Sequence, residues 1–129
     1  MFATVLLTSL PAYSDTLKPF ISDGCSAFPE GTLEENQLWL TCCTQHDYDY
    51  WKGGTYEQRL DSDNRLRQCV SGLGEPFIGA LMQAGVFVGG SAFWPTDFRW
   101  GYGWPYPRLY GELTAEEKKQ VELYSSQGK

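Results

Sequence analysis

The stretch that decides the fold is Cys42-Cys43-Thr44-Gln45-His46-Asp47, which has one further cysteine on each side, Cys25 and Cys69. His46 is the only histidine in the 129-residue chain. It follows Cys42 by about one helical turn. The position of an imidazole ring decides whether it can act as a base, and a covalent cross-link one turn away would hold that ring rigidly. The stretch therefore predicts a cross-linked helix that carries a general base.

The composition indicates one cross-linked domain and limits its partners. Four cysteines in a chain of this length predict two disulfides or a metal site, and paired cysteines are typical of an oxidising compartment. We therefore expect a secreted or periplasmic protein. We also expect it to be a monomer. A net charge of −6, from 10 basic and 16 acidic residues, argues against a nucleic-acid partner and against docking on strongly anionic membranes. A zinc site is disfavoured, because structural zinc prefers cysteine pairs separated by two to four residues.

The first 14 residues carry an apolar run that allows two interpretations. Phe2 to Leu10 are mostly apolar and are followed by Pro11 and small residues. The run is too short to span a bilayer, which takes about 20 apolar residues, so we expect no transmembrane segment. Residues 1–14 are either a truncated secretory signal, although its basic region is missing, or an ordinary N-terminal helix. Residues 15–129 are expected to form a single domain.

Three helix starts carry a capping box, in which a Thr is followed three residues later by Glu or Gln. The pairs are Thr32 with Glu35, Thr55 with Gln58, and Thr114 with Glu117. They predict helices over residues 33–51, 56–70 and 115–124, so the fold class is mainly α. The short connection between the first two makes these helices antiparallel neighbours.

The pattern is weaker between Gly72 and Gly111. Residues 76–84 are compatible with a short apolar helix and residues 86–88 with a brief strand. Residues 93–110 alternate glycine, proline and aromatic residues, which predicts irregular structure. In residues 93–104 we expect most of the aromatic rings to pack inside the domain, with one or two left exposed to contact a lipid headgroup zone.

The two adjacent cysteines need different partners. Neighbouring residues on a helix point about 100° apart, so Cys42 and Cys43 cannot share one partner segment. Only Cys25 and Cys69 remain, which leaves two pairings. In the crossed pairing, Cys43 bonds Cys69. In the direct pairing, Cys42 bonds Cys69 and Cys25 bonds Cys43.

The side chains one turn further along the first helix distinguish these pairings. In the crossed pairing, Asp47 would face Asp63 on the second helix, which sets carboxylate against carboxylate. In the direct pairing, His46 faces that helix about 6 Å from the cross-link and Tyr50 about 12 Å from it, while Asp63 lies level with the gap, at about 9 Å. Asp63 also falls on an apolar stripe, where a carboxylate needs a partner. We therefore predict the direct pairing.

The direct pairing also predicts a cation site. Its bridge from Cys25 to Cys43 would tie residues 23–31 beside the first helix, and Asp47, one turn beyond Cys43, would face the backbone of that segment. A carboxylate with converging carbonyl oxygens is a hard-oxygen site that suits calcium rather than zinc. The alternative is that Asp47 only caps the segment or faces solvent.

Seven residues of the two predicted helices form one spaced motif. The motif is Cys42-Cys43-x-x-His46-Asp47-x-x-Tyr50, followed by Asp63 six residues before Cys69. It resembles the active-site helices of the secreted phospholipase A2 superfamily, over about residues 23–70. The resemblance implies calcium-dependent hydrolysis of the sn-2 ester of glycerophospholipids at a lipid–water interface, which releases a fatty acid and a lysophospholipid. With at most two disulfides, the chain is most similar to the small, cysteine-poor microbial members.

The same resemblance implies a role for each residue of the site. His46 would activate a water molecule, while Asp63 and Tyr50 would orient its ring. Asp47 would bind calcium, which would polarise the ester carbonyl and stabilise the oxyanion. The remaining ligands would be backbone carbonyls around Cys25, by position those of Gly24, Ser26 and Phe28.

The chain also departs from the family pattern. The usual glycine-dense calcium loop is thinned to Gly24 and Gly31, with Pro29 and Glu30 between them. Nothing after Gly72 matches the animal or venom enzymes of the family, so the walls that would bind an acyl chain are not assigned. The alternative function is a non-catalytic, phospholipase-like module that binds lipid or protein. Such a module would be expected to lose the histidine or the calcium aspartate, and both are present.

Overall fold

The described part of the chain is mainly α-helical, as predicted. The computed structural model describes residues 15–26 and 28–127, so the alternatives for residues 1–14 lie outside it. The helices are α1 (Leu40–Lys52), α2 (Tyr56–Gly72), α3 (Pro76–Gly89) and α4 (Ala115–Gln127). No strand occurs within the described residues. Nor is any helix in this part long and apolar enough to cross a membrane.

The predicted start of the first helix is wrong, because α1 begins at Leu40 rather than near residue 33. The capping contact itself forms, since the Glu35 amide donates to Thr32 Oγ1 at 2.9 Å. However, the Thr32 amide donates back to the Glu35 carbonyl at 2.9 Å, and the Trp39 amide donates to the Glu30 carbonyl at 3.0 Å. These bonds close the segment into turns. A capping box is a local pattern that such a turn satisfies as well as a helix does.

The other two capping boxes open helices as predicted. In α2, the Gln58 amide donates to Thr55 Oγ1 at 3.1 Å and the Thr55 amide donates to Gln58 Oε1 at 2.8 Å. Thr114 and Glu117 exchange the same two bonds, at 3.1 and 2.9 Å, at the start of α4. Both helices continue slightly beyond their predicted ends.

The predicted strand over residues 86–88 is wrong, because these residues belong to α3. The close packing of α3 on α2 explains the longer helix. A Cβ atom at Gly79 would lie 2.7 Å from Ser71 Oγ and 2.8 Å from the Arg67 carbonyl oxygen, so only a glycine permits this approach. Tertiary contact with α2 therefore overrides the local preference of the Val-Phe-Val triplet.

Both disulfides follow the direct pairing, Cys42–Cys69 and Cys25–Cys43. Cys42 lies near the start of α1 and Cys69 near the end of α2, whereas Tyr50 near the end of α1 contacts the first half of α2. The two helices are therefore antiparallel neighbours, as predicted. The cross-link fixes their register at the end opposite the connecting loop.

Three apolar clusters form the core around these helices. The first surrounds the disulfides and includes Trp39, Leu66 and Met82. The second contains Leu17, Trp51, Trp104 and Val121, and the third contains Tyr50, Ala92 and Trp100. The second and third clusters anchor the irregular C-terminal half, together with α4, against α1.

The aromatic segment 93–104 has no regular secondary structure, as predicted, but its exposure is underestimated. Trp100 and Trp104 are buried, whereas Phe93, Trp94 and Phe98 are all more than half exposed. The expectation of one or two exposed rings is therefore wrong. Pattern alone cannot tell which rings of an irregular segment meet the core.

Removing the Cys42–Cys69 bridge by the double substitution to alanine should lower the free energy of unfolding by about 3.5 kcal/mol, from chain entropy alone. The bridge closes a span of 27 residues, and its loss lets the unfolded chain expand. Urea unfolding followed by circular dichroism measures the change. A loss below about 1 kcal/mol would contradict a stabilising role for this bridge.

Candidate active site

The structure brings His46, Asp63 and Tyr50 into one buried cluster. His46 Nε2, on α1, lies 2.8 Å from Oδ1 of Asp63 on α2. The Tyr50 hydroxyl, one turn further along α1, donates to the same Oδ1 at 2.6 Å. The imidazole and phenol rings lie with their centroids 4.3 Å apart. All three residues are buried, so the surrounding protein restricts their side chains to this arrangement.

The hydrogen bonds assign the tautomer of His46. An ionised carboxylate only accepts hydrogen bonds, so a neutral imidazole facing Asp63 carries its proton on Nε2. Nδ1 then holds the free lone pair, and it has no hydrogen-bond partner in residues 15–26 and 28–127. Because His46 lines a cavity, Nδ1 is the nitrogen available to a water molecule there.

Tyr50 remains a neutral hydrogen-bond donor at ordinary pH. Burial raises the pKa of its hydroxyl far above the usual range, and the charge and hydrogen bond of Asp63 raise it further. Asp63 Oδ1 thus receives two donors, while its buried Oδ2 has no partner within the described residues. Two side chains of α1, those of His46 and Tyr50, therefore hold the Asp63 carboxylate through one oxygen.

Asp47 follows His46 on α1 and faces residues 22–26, which we call the Cys25 segment. Its Oδ2 accepts a hydrogen bond from Ser22 Oγ at 2.7 Å. Burial raises the pKa of Asp47 to about 6, the Ser22 hydrogen bond opposes this rise, and the nearby charge of Asp23 adds to it. The neighbouring His46 lowers this pKa, but burial outweighs that effect, so the ionised form of Asp47 is disfavoured.

The backbone around Cys25 lines the same cavity as Asp47. Gly24 and Ser26 both have positive φ angles, 70° and 56°, so the chain turns sharply there. Within the described residues, no donor hydrogen-bonds to the carbonyl oxygens of Gly24, Ser26 or Phe28. Calcium prefers carboxylate and carbonyl oxygens, so the partly buried Asp47 and these carbonyls are of the donor types that it takes. The described part contains no group of three or more His, Cys, Asp or Glu side chains suited to a metal.

The sequence-based interpretation missed two charged residues of the site. Asp23 lies on the Cys25 segment, where Ser26 Oγ donates to its Oδ1 at 2.9 Å, and its charge acts on Asp47. Arg59 is buried on α2 and donates from Nε to the Tyr50 hydroxyl at 3.0 Å. The only sequence signal for Arg59 is its position one helical turn before Asp63.

One cavity of about 540 Å³ connects these groups. Both His46 and Asp47 line it, and most of its remaining wall is apolar. The apolar residues include Ile21, Phe28, Leu66, Met82, Val86 and Phe98. Its size lies in the range of pockets that bind small molecules. The apolar wall of this cavity comes from α2, α3 and two loops.

Two glycines let the backbone of α3 and its C-terminal cap approach aromatic rings of the site closely. A Cβ atom at Gly90 would lie 2.6 Å from the Tyr50 ring, and one at Gly85 would lie 3.2 Å from the ring of Phe28. A side chain at Gly90 would therefore displace Tyr50 from Asp63. The bare backbone lets the end of α3 close over the cluster.

Comparison with known proteins leaves the family open. No family model, no curated protein and no solved structure matches the chain. The interpretation of the site therefore rests on the geometry of the chain's own residues and on the spaced motif of α1 and α2.

Proposed function

We propose that the protein is a calcium-dependent phospholipase A2 of the small, cysteine-poor microbial type, which hydrolyses the sn-2 ester of glycerophospholipids. One observation carries the proposal. His46, hydrogen-bonded to Asp63, lines the same apolar cavity as Asp47 and the backbone around Cys25. A base and an oxygen-rich cation site that share an apolar pocket suit hydrolysis of an ester attached to a long acyl chain.

The dyad supplies proton transfer. Nδ1 of His46 would take a proton from a water molecule while the water oxygen bonds to the sn-2 carbonyl carbon. Asp63 would stabilise the imidazolium that forms, through the hydrogen bond at Nε2. When the bond to the glycerol oxygen breaks, that oxygen would receive the proton from His46. The products are a fatty acid and a lysophospholipid.

Asp47 would hold the calcium ion, with the carbonyl oxygens of Gly24, Ser26 and Phe28. When bound, calcium supplies a positive charge that polarises a carbonyl and stabilises an oxyanion. Asp23 adds negative charge on the same segment, which favours a cation over an anion there. The ion would also compensate the partly buried charge of Asp47.

The mouth of the cavity fits a lipid–water interface. Ile21 and Phe98 both line the cavity, although they are 75% and 55% exposed. Exposed apolar side chains at a pocket entrance favour entry of an amphiphile from an aggregate. The two disulfides favour an oxidising compartment, so we propose a secreted or periplasmic enzyme that acts as a monomer.

The products formed from a mixed-chain phosphatidylcholine test this proposal. With palmitate at sn-1 and oleate at sn-2, mass spectrometry should find free oleate and palmitoyl-lysophosphatidylcholine in calcium. Excess chelator should suppress both. Release of the sn-1 chain would contradict the proposed specificity. A calcium-induced rise in melting temperature without hydrolysis would favour a non-catalytic binding module.

Asp63→Asn should lower kcat about 10- to 10²-fold, less than loss of the base itself. The amide fills the same space and its oxygen can still accept from His46 and Tyr50, but it removes the negative charge that would stabilise the imidazolium. It also places an NH₂ group where the buried Oδ2 has no partner within the described residues. Initial rates at saturating calcium and lipid measure the change. Asp61→Asn, at an exposed position on the same helix, is the matched control and should keep wild-type activity. Equal rates for both variants would exclude an orienting role for Asp63.

A further inference from the structure

Arg59 is a buried guanidinium without a carboxylate partner. Arg59 is only 3% exposed, and no Asp or Glu within the described residues lies at ion-pair distance from it. Burial of an arginine without a direct counter-ion is unfavourable unless its donors are satisfied. All of its hydrogen bonds go to neutral oxygens. The acceptors are the hydroxyls of Tyr50 and Tyr110 and the carbonyls of Val86 and Phe87.

The contact with Tyr50 connects Arg59 to the dyad. Nε–H of Arg59 donates to the Tyr50 hydroxyl at 3.0 Å, which occupies an acceptor site on that oxygen. The Tyr50 proton is therefore directed to Asp63 Oδ1, 2.6 Å away. Asp63 in turn accepts from His46. Each bond in this series polarises the next, so the positive charge of Arg59 acts on Asp63 through a single hydroxyl.

The other contacts of Arg59 fix the wall of the cavity. Nη2 donates to the carbonyls of Val86 and Phe87, at 3.1 and 2.6 Å, in the last turn of α3. That turn has no basic residue of its own, so Arg59 supplies the cation that a helix C-terminus favours. Val86 lines the cavity. One side chain therefore joins the cavity wall to the residues that orient His46.

We propose that Arg59 is a positioning residue, which fixes the Tyr50 hydroxyl as a donor to Asp63 and so holds the ring of His46 in its working orientation. The contribution to turnover rests on the proposed function. The effect on His46 does not, because it concerns hydrogen bonds within the free protein. A series of bonds from Arg59 to His46 can thus be tested without substrate.

The test uses the Nε2–H signal of His46 in ¹⁵N-labelled protein, which is unambiguous because the chain has one histidine. In wild type, the hydrogen bond to Asp63 should give a downfield, slowly exchanging proton. Arg59→Met should shift that signal upfield or remove it by exchange, while Arg59→Lys should preserve part of it. Arg65→Met is the matched control, because Arg65 is exposed on the same helix and pairs with Asp49. The His46 Nε2–H signal of Arg65→Met should match that of the wild type.

Kinetics and a double-mutant cycle test the route through Tyr50. Arg59→Met should lower kcat about tenfold or more without a matching change in KM, as expected when an orienting partner is lost. In a Tyr50→Phe background, Arg59→Met should add less than a twofold effect, because the bridging hydroxyl is already absent.

The outcomes separate this inference from the proposed function. A folded Arg59→Met variant with the wild-type Nε2–H signal overturns the positioning role, whatever the activity. If Arg59→Met does not fold, the Tyr50→Phe variant tests the same series of hydrogen bonds. An unchanged His46 Nε2–H signal in Tyr50→Phe would then overturn the positioning role. A wild type without hydrolysis refutes the proposed function, while an altered His46 signal in Arg59→Met would still support positioning.

Discussion

His46→Gln should remove nearly all ester hydrolysis, with a loss on the order of 10³-fold or more, and leave calcium binding intact. Glutamine occupies a similar volume but cannot take a proton from water at neutral pH. The calcium site should persist, because Asp47 and the Cys25 segment do not depend on the imidazole. Isothermal titration with calcium and initial rates of fatty-acid release measure the two properties in the same sample.

The neighbouring residue provides the control for that experiment. Gln45 is exposed on α1, so Gln45→Ala should keep both activity and calcium binding. Near-native hydrolysis by His46→Gln would exclude His46 as the base. Loss of calcium binding together with hydrolysis would instead indicate that the substitution disturbs α1.

Asp47→Asn should have two effects of opposite sign. It should abolish measurable calcium binding and most hydrolysis, because it removes the charge that holds the ion beside neutral carbonyls. In chelator, however, it should raise the melting temperature near pH 8. Burial holds the pKa of Asp47 at about 6, above its ordinary value of 3.8. Calcium-free wild type therefore keeps an unfavourable, partly buried charge above pH 6.

The pH dependence of that difference follows from linkage. Between pH 3.8 and about 6 the folded state binds more protons at Asp47 than the unfolded state, so this contribution to stability is lost as pH rises through that range. Thermal unfolding in chelator should show Asp47→Asn closest to wild type near pH 4 and more stable than wild type near pH 8. Asp61→Asn should lack this pH-dependent gain. A destabilised Asp47→Asn protein at pH 8 would contradict the assignment of Asp47 as a cation site.

The sequence predicts the central contact well because short-range geometry controls it. His46 lies one turn from Cys42, and Asp63 lies six residues before Cys69, so one cross-link sets both sides of the contact. The capping boxes at Thr55 and Thr114 also depend only on local contacts. The box at Thr32 shows the limit of that reasoning, because its contact forms inside a turn rather than a helix.

The rest of the site depends on contacts between distant parts of the chain. Arg59 finds its acceptors on α1, on α3 and at Tyr110, and no periodicity in α2 reveals them. The cavity walls depend on how closely α3 approaches α2, which the bare backbone of Gly79 controls. Hydrophobic pattern identifies an apolar segment there, but it does not specify which side chains line a pocket.

The initial rate of sn-2 fatty-acid release, measured across free calcium concentrations in wild type and His46→Gln, tests the proposed chemistry most directly. We predict a saturable rise with calcium in wild type and a rate near background at every calcium concentration in the variant. A wild-type rate that does not respond to calcium, or equal rates for the two proteins, would contradict a calcium-dependent hydrolase with His46 as its base.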